Sequence, residues 1–188
     1  MAIETPSYSS LKKEGKFELR DYEAHIVAMV ELKAESLNQA SNDGFQILAG
    51  YIFGNNTKKV DISMTAPVEV ERLPGSEKIP MTAPVNVESV RENTYAISFA
   101  MPRKYDLPSL PRPNDKRVSL KQVPEHRAAV IRFSGFVNEK TFEKRSGELR
   151  EWLAKEKLKA RGGFITARYN PPWIPWFMRR NEIIVRVS

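Results

Sequence analysis

The chain has 188 residues, with 30 Lys+Arg, 23 Asp+Glu, two His and no Cys. That length suits one domain, and 41% hydrophobic residues are enough to build a core. The lack of Cys excludes disulfides, Cys-ligated zinc, iron–sulfur clusters and thiol nucleophiles, and His25 and His126 are too few for a His-rich metal site or a histidine relay.

The net charge of +7 is uneven: residues 1–100 carry 10 basic and 14 acidic side chains, and residues 101–188 carry 20 and 9. A basic half can face nucleic acid, anionic lipid or an anionic small molecule. Along Lys140–Arg161, however, the cations are mixed with Glu, the pattern of a solvated helix face, so no nucleic-acid partner is expected. Met1–Pro6 lacks the basic and apolar regions of a signal peptide, and no stretch approaches the roughly 20 apolar residues of a membrane span. A soluble, cytoplasmic chain is expected, with protein partners left open.

In chain order, Phe17 and Leu19 alternate with Glu18 and Arg20, and Ile26, Ala28, Val30 and Leu32 share a face, giving two strands around a turn at Asp21–Ala24. Ser36 caps a helix, Gln39 completes a capping box, and Phe45, Leu48 and Ile52 follow at helical spacing, although Gly44 weakens the helix. Val60–Val70 and Ile79–Val87 each alternate with period two and flank a turn-forming Arg72–Ser76, which predicts a long hairpin with Met64 and Met81 on its buried side. Tyr95, Ile97, Phe99 and Met101 make a further strand, and Met101–Pro113, with four prolines, is a loop between halves. Then come strands at Val118–Leu120 and Ala129–Phe133, a helix capped by Asn138 with a stripe of Phe142, Leu149, Trp152 and Leu153, and short strands near Phe164–Tyr169 and Glu182–Val187.

Phe17-x-Leu19…His25 lies 101 residues before Val118-x-Leu120…His126, and similar elements follow each. This implies a duplicated β-α-β-β unit related by a pseudo-twofold. The expected fold is α+β, a single domain over 1–188 in which a distorted antiparallel β-barrel is flanked by two helices.

No nucleophile elbow, Walker loop, dinucleotide fingerprint or His-Glu-x-x-His occurs, so a binding protein is favoured over an enzyme and no catalytic or metal residue is assigned. Met-Thr-Ala-Pro-Val occurs twice, at Met64–Val68 and Met81–Val85. It reads either as a structural hairpin or as a soft wall for a flat apolar ligand. The stretch Ala167–Glu182 is a proline-rich loop between strands whose aromatic residues either form a lid on the core or cover a ligand or partner site. Arg179 and Arg180 can fork onto a carboxylate, or one of them can pair with Glu182.

The double Met-Thr-Ala-Pro-Val, Phe17–Tyr22, and Tyr169-Asn170-Pro171-Pro172 followed by Arg179-Arg180-Asn181-Glu182 resemble the SOUL haem-binding protein family from about Ile3 to Val187. The resemblance implies haem or another tetrapyrrole held in a shallow apolar cleft between the first helix and the late loop. The implied cofactor-binding residues are Phe45, Leu48, Ile52, Met64, Met81, Trp173, Trp176, Arg179 and Arg180. Some members place a His, proposed as iron ligand, where this chain has Asp21, so binding without a fixed His ligand is implied here. The fold also resembles gyrase-inhibitor-like effector-binding domains, which gives an effector-binding or protein-interaction module as the alternative. Such domains place an acidic residue in a cavity, and the apolar faces read above contain none.

Overall fold

The computed structural model describes residues 4–63, 65–72, 93–170 and 173–188. These form strands β1 (Tyr8–Glu14), β2 (Phe17–Tyr22), β3 (His25–Lys33), β4 (Val68–Arg72), β5 (Thr94–Ala100), β6 (Val118–Val123), β7 (His126–Phe133), β8 (Ala160–Arg168) and β9 (Asn181–Val187), with helices α1 (Leu37–Ile52) and α2 (Glu139–Lys155). All pairings are antiparallel, in the order β1-β2-β7-β9-β8-β4-β5-β3-β6. Set β1 aside and exchange β2, β3, β4 and β5 for β6, β7, β8 and β9. The order then reads as its own reverse, so the duplication is a pseudo-twofold between β4 and β8.

The first strand of each half crosses over. β2 pairs with β7 and β6 pairs with β3, so each half completes the other's sheet. The connecting turns are twins. Nδ1 of His25 lies 2.9 Å from the Glu23 carbonyl, and Nδ1 of His126 lies 2.9 Å from that of Pro124.

One face of the sheet carries Ile26, Ala28, Val30, Val70, Tyr95, Ile97, Phe99, Ala129, Ile131, Ile183 and Val185, and both helices pack on it. Ser36 caps α1 by accepting from the Gln39 N–H, and Gln39 Oε1 accepts from the Glu35 N–H rather than from the cap residue itself. Asn138 caps α2 through the Thr141 N–H at 2.9 Å. Gly44 owes its place to packing: a Cβ there would lie 2.5 Å from Cγ1 of Ile97, so α1 rides against β5 only because that side chain is missing.

The opposite face is also closed. Tyr22, Ala128, Val130, Ala167 and Ile184 form a second cluster with Tyr8, Ile165 and Tyr169 against it. Glu69 points to this face. Burial raises its pKa to about 7 against the opposing pull of Arg186 and the Ser98 hydroxyl, with Glu71 and Glu182 raising it further.

Two elements differ from the sequence reading. β1 was not expected, because its residues are nearly all exposed and show no alternation. Val60–Val70 is not one strand. Before Val68 the Ile62 N–H bonds to the Ile52 carbonyl and the Ala66 N–H to that of Glu4, so the end of α1 and the N-terminal segment take the backbone groups a ladder would use. β4 itself has β5 on one edge and β8 on the other. Ile79–Val87 and both Met64 and Met81 lie outside the described residues.

Two outcomes follow. Gly44→Ala is expected to lose about 1–3 kcal/mol despite better helix propensity, whereas Gly50→Ala, with open space at its Cβ, is expected to gain about 0.5–1 kcal/mol in urea denaturation. Glu69 binds its proton more tightly folded than unfolded, so it lowers stability as pH rises from about 4.5 to 7, by at most about 1.4 kcal/mol per unit, and no further above that. Glu69→Gln should be more stable than the parent at pH 8, and the two should converge at pH 4.5.

Candidate functional site

The β8–β9 connection builds an exposed aromatic ledge. Pro175 starts a single 3₁₀ turn, Trp176–Met178, closed by the Met178 N–H on the Pro175 carbonyl at 2.9 Å. The turn is docked on the end of β7. The Trp176 carbonyl accepts from the Gly135 N–H at 3.0 Å, and Asn181 Nδ2 donates to the Gly135 carbonyl at 2.9 Å. Gly135 has φ +109°, which favours glycine there. At the base of the loop, Asn170 Oδ1 accepts from the Arg180 N–H at 2.6 Å. The two Asn residues of the motifs thus clamp the loop from both sides.

What the loop presents is apolar. Trp173, Trp176, Phe177, Met178 and the neighbouring Phe136 are between 53% and 79% exposed. Phe136 and Trp176 stack at 5.9 Å, and Trp176 meets Phe177 edge-on at 5.7 Å. A cluster of exposed large aromatics of this kind marks a contact surface.

Cations lie under and beside it. Arg179 Nε donates to the Ile174 carbonyl at 2.7 Å, and its guanidinium sits 5.7 Å from the Phe136 ring centre. Arg180 is held by the interior instead: it stacks 4.1 Å from the Tyr169 ring centre and bonds Glu182 Oε1 at 2.8 Å. Glu182 is fully buried and also accepts from Arg20 at 2.8 and 3.0 Å and from the Tyr169 hydroxyl at 2.6 Å. Burial opposes its ionisation, but these partners hold the carboxyl below the usual range.

Arg168, at the end of β8, joins the ledge to α1. Its Nη2 donates to Asn38 Oδ1 at 2.8 Å and to the Val137 carbonyl at 3.2 Å. Phe45 lies seven residues on from Asn38, about 10 Å along the helix. It is half exposed and packs against Phe99 at 5.5 Å. Leu48 and Ile52 turn inward and are 0% and 1% exposed, so they support α1 from the core side.

The histidines are remote from this ledge. They face one another with ring centres 6.1 Å apart at the start of β7, and the ledge docks on its end. Eight residues of strand put roughly 23 Å between them. Asp21 pairs with Arg127 at 2.7 Å on the neighbouring strand. Among the described residues no group of three or more His, Cys, Asp or Glu is placed to hold a metal ion. A cavity of about 30 Å³, lined in part by Glu4, Glu23, His25, Thr65 and Arg103, has room for about one water molecule.

Sequence reasoning singled out Trp173, Trp176, Arg179 and Arg180 on the loop and Phe45 on the helix. It missed Phe136 and Arg168, which precede and follow α2. The sequence carried no direct signal for either: the 101-residue offset sets Phe136 against Glu35 and Arg168 against Pro67, and Arg168 is related to Arg72 only through the strand registers.

Comparison with known proteins gives one family and one fold. The family model described as SOUL heme-binding protein matches residues 3–186. Heme-binding protein 2 of Mus musculus is 29% identical, covering 96% of this chain and 88% of its own. Heme-binding protein 1 of Xenopus laevis is 25% identical, covering 92% and 84%. The crystal structure of the EcmrR C-terminal domain superposes with a TM-score of 0.65 at 12% identity, covering 96% of this chain and 98% of that one, and so shares the fold.

The two kinds of residue should separate in denaturation. Arg180→Ala, which removes one of the partners of a buried carboxylate, is expected to cost about 1–3 kcal/mol. Trp173→Ala, mostly in water, should stay within about 0.5 kcal/mol of the parent.

Proposed function

Because the chain belongs to the SOUL heme-binding protein family, we propose that it binds haem or a related tetrapyrrole on the aromatic ledge and buffers or carries it, as a binding protein without catalysis. The observation that carries this reading is the set of large aromatics left in water beside clustered arginines. A flat, apolar, dianionic macrocycle is complementary to both features. Trp173, Trp176, Phe177 and Phe136 offer ring faces, and Phe45 offers an apolar wall from α1. Arg179 brings positive charge to the propionate edge, while Arg180 keeps its buried partner. Leu48 and Ile52 hold the helix in place from behind.

Haem iron would supply ligand-exchange and redox chemistry when bound. The chain's own part is apolar capture, exclusion of water from one ring face and neutralisation of the propionates. With His25 and His126 at the far end of β7, neither is within reach of a ring on the ledge.

A visible-absorption titration with hemin, and with protoporphyrin as the iron-free control, tests this. Saturable binding of both with comparable affinity is expected, and His25→Ala and His126→Ala should leave the hemin spectrum unchanged. No saturable binding of either would refute the tetrapyrrole reading, and a strong preference for hemin that is lost with His25 would refute ligand-free capture. The second reading, an effector-binding module, draws on Glu69, a partly buried carboxylate on the second face of the sheet whose pKa is raised to about 7. Saturable binding of a lipophilic cation, abolished by Glu69→Gln, would favour it.

A further inference from the structure

The pseudo-twofold supplies an internal comparison. With β3 laid on β7 by the 101-residue offset, Val27 is equivalent to Ala128. Their partners Ala100 and Arg186 are then equivalent, and so, five residues back along β5 and β9, are Tyr95 and Asn181. The partners of those two are Arg72 and Arg168. The two arginines are twins at the ends of twin strands, each reaching the start of the other half's twin helix.

Their surroundings differ in one respect. Arg72 finds a carboxylate: Nη2 lies 3.3 Å from both oxygens of Glu139, the first residue of α2. The first residue of α1, at the same place after its cap, is Leu37. Arg168 therefore meets only neutral acceptors among the described residues, Asn38 Oδ1 and the Val137 carbonyl, and its Nε is buried without a hydrogen-bond partner. Burial and the nearby charge of Arg179 push its pKa below the usual arginine range. Glu139 also accepts from the Leu37 N–H at 2.9 Å, but among the described residues the guanidinium it meets is that of Arg72.

We propose that Arg168 is the anion-receiving residue of this site, and that a carboxylate of the aromatic ligand fills the place that Glu139 fills for Arg72. That the ligand is a tetrapyrrole and the carboxylate a propionate rests on the reading above. Arg168 bonds Asn38 at the start of α1 and the Val137 carbonyl next to Phe136, so an anion bound there sits between the start of α1 and the ledge. A charge-assisted bond to a partly buried guanidinium is strong because water competes poorly.

Asn38→Asp tests this with almost no change of shape. It places a carboxylate in hydrogen-bonding range of Arg168, in the first turn of a helix that has no acidic residue there. The variant is expected to melt about 2–4 °C higher and to bind hemin about tenfold more weakly. Affinity for the dimethyl ester of hemin, which has no free carboxylate, should be unchanged. Arg168→Gln should also lose about tenfold for hemin alone, and Arg168→Lys should recover part of it. Unchanged hemin affinity in Asn38→Asp and Arg168→Gln, or equal losses for hemin and its ester, would overturn the assignment. If the parent protein binds no hemin, the tetrapyrrole reading falls. The anion assignment is then judged with 8-anilinonaphthalene-1-sulfonate against neutral N-phenyl-1-naphthylamine, where weakening of the sulfonate alone by Asn38→Asp supports it and no such weakening refutes it.

Discussion

A single carboxylate with no exposure to water organises the β8–β9 end of this protein. Glu182, the second residue of β9, gathers Arg20 from β2, Tyr169 from just past β8 and Arg180 from the loop. Leaving such a group uncompensated would cost several kcal/mol. The departure of the chain from β8 and its return to β9 are therefore fixed together, and the aromatic turn between them is held in place despite its exposure. The Arg-Asn-Glu motif is structural in this sense: its Arg and Glu anchor the network, and its Asn clamps the loop to the end of β7.

The second organising feature is a duplication that has kept its skeleton and diverged in its surface. Strand order, caps, turn histidines and strand-end arginines repeat. The helices do not. The exposed side of α2 is densely charged, whereas α1 is nearly uncharged and presents Phe45. In one half the strand-end arginine is neutralised internally by Glu139. In the other the corresponding position is apolar, and the same corner adjoins exposed aromatics. The proposed ligand site thus lies at one of two equivalent corners that differ by few side chains.

Much of the scaffold was legible in the sequence because period-two alternation records burial on one face. β2, β3, β5, β7 and β9 read directly, and the caps at Ser36 and Asn138 fixed the helix starts. β1 was not legible, since an exposed edge strand leaves no alternation. The strand inferred over residues 60–67 failed for the converse reason: alternation there reflects irregular packing, with backbone bonds to α1 and the N-terminal segment. The second core was also hidden. Glu18 and Arg20 alternate with the apolar residues of β2 as an outward side would, but Arg20 lies buried on the second face against Glu182. At the site, composition pointed to the loop aromatics, while Arg168 became visible only once strand registers made it the counterpart of Arg72.

The central claim is that a ligand lies across the ledge beside α1. It is tested most directly by the three tryptophan indole resonances under ¹H–¹⁵N NMR during titration with protoporphyrin. Trp173 and Trp176 are on the ledge, whereas Trp152 lies on the buried face of α2 with its Nε1 bonded to Glu14 at 3.2 Å. The account requires large ring-current shifts at Trp173 and Trp176 with Trp152 unmoved. Shifts confined to Trp152, or to the turns around His25 and His126, would contradict it.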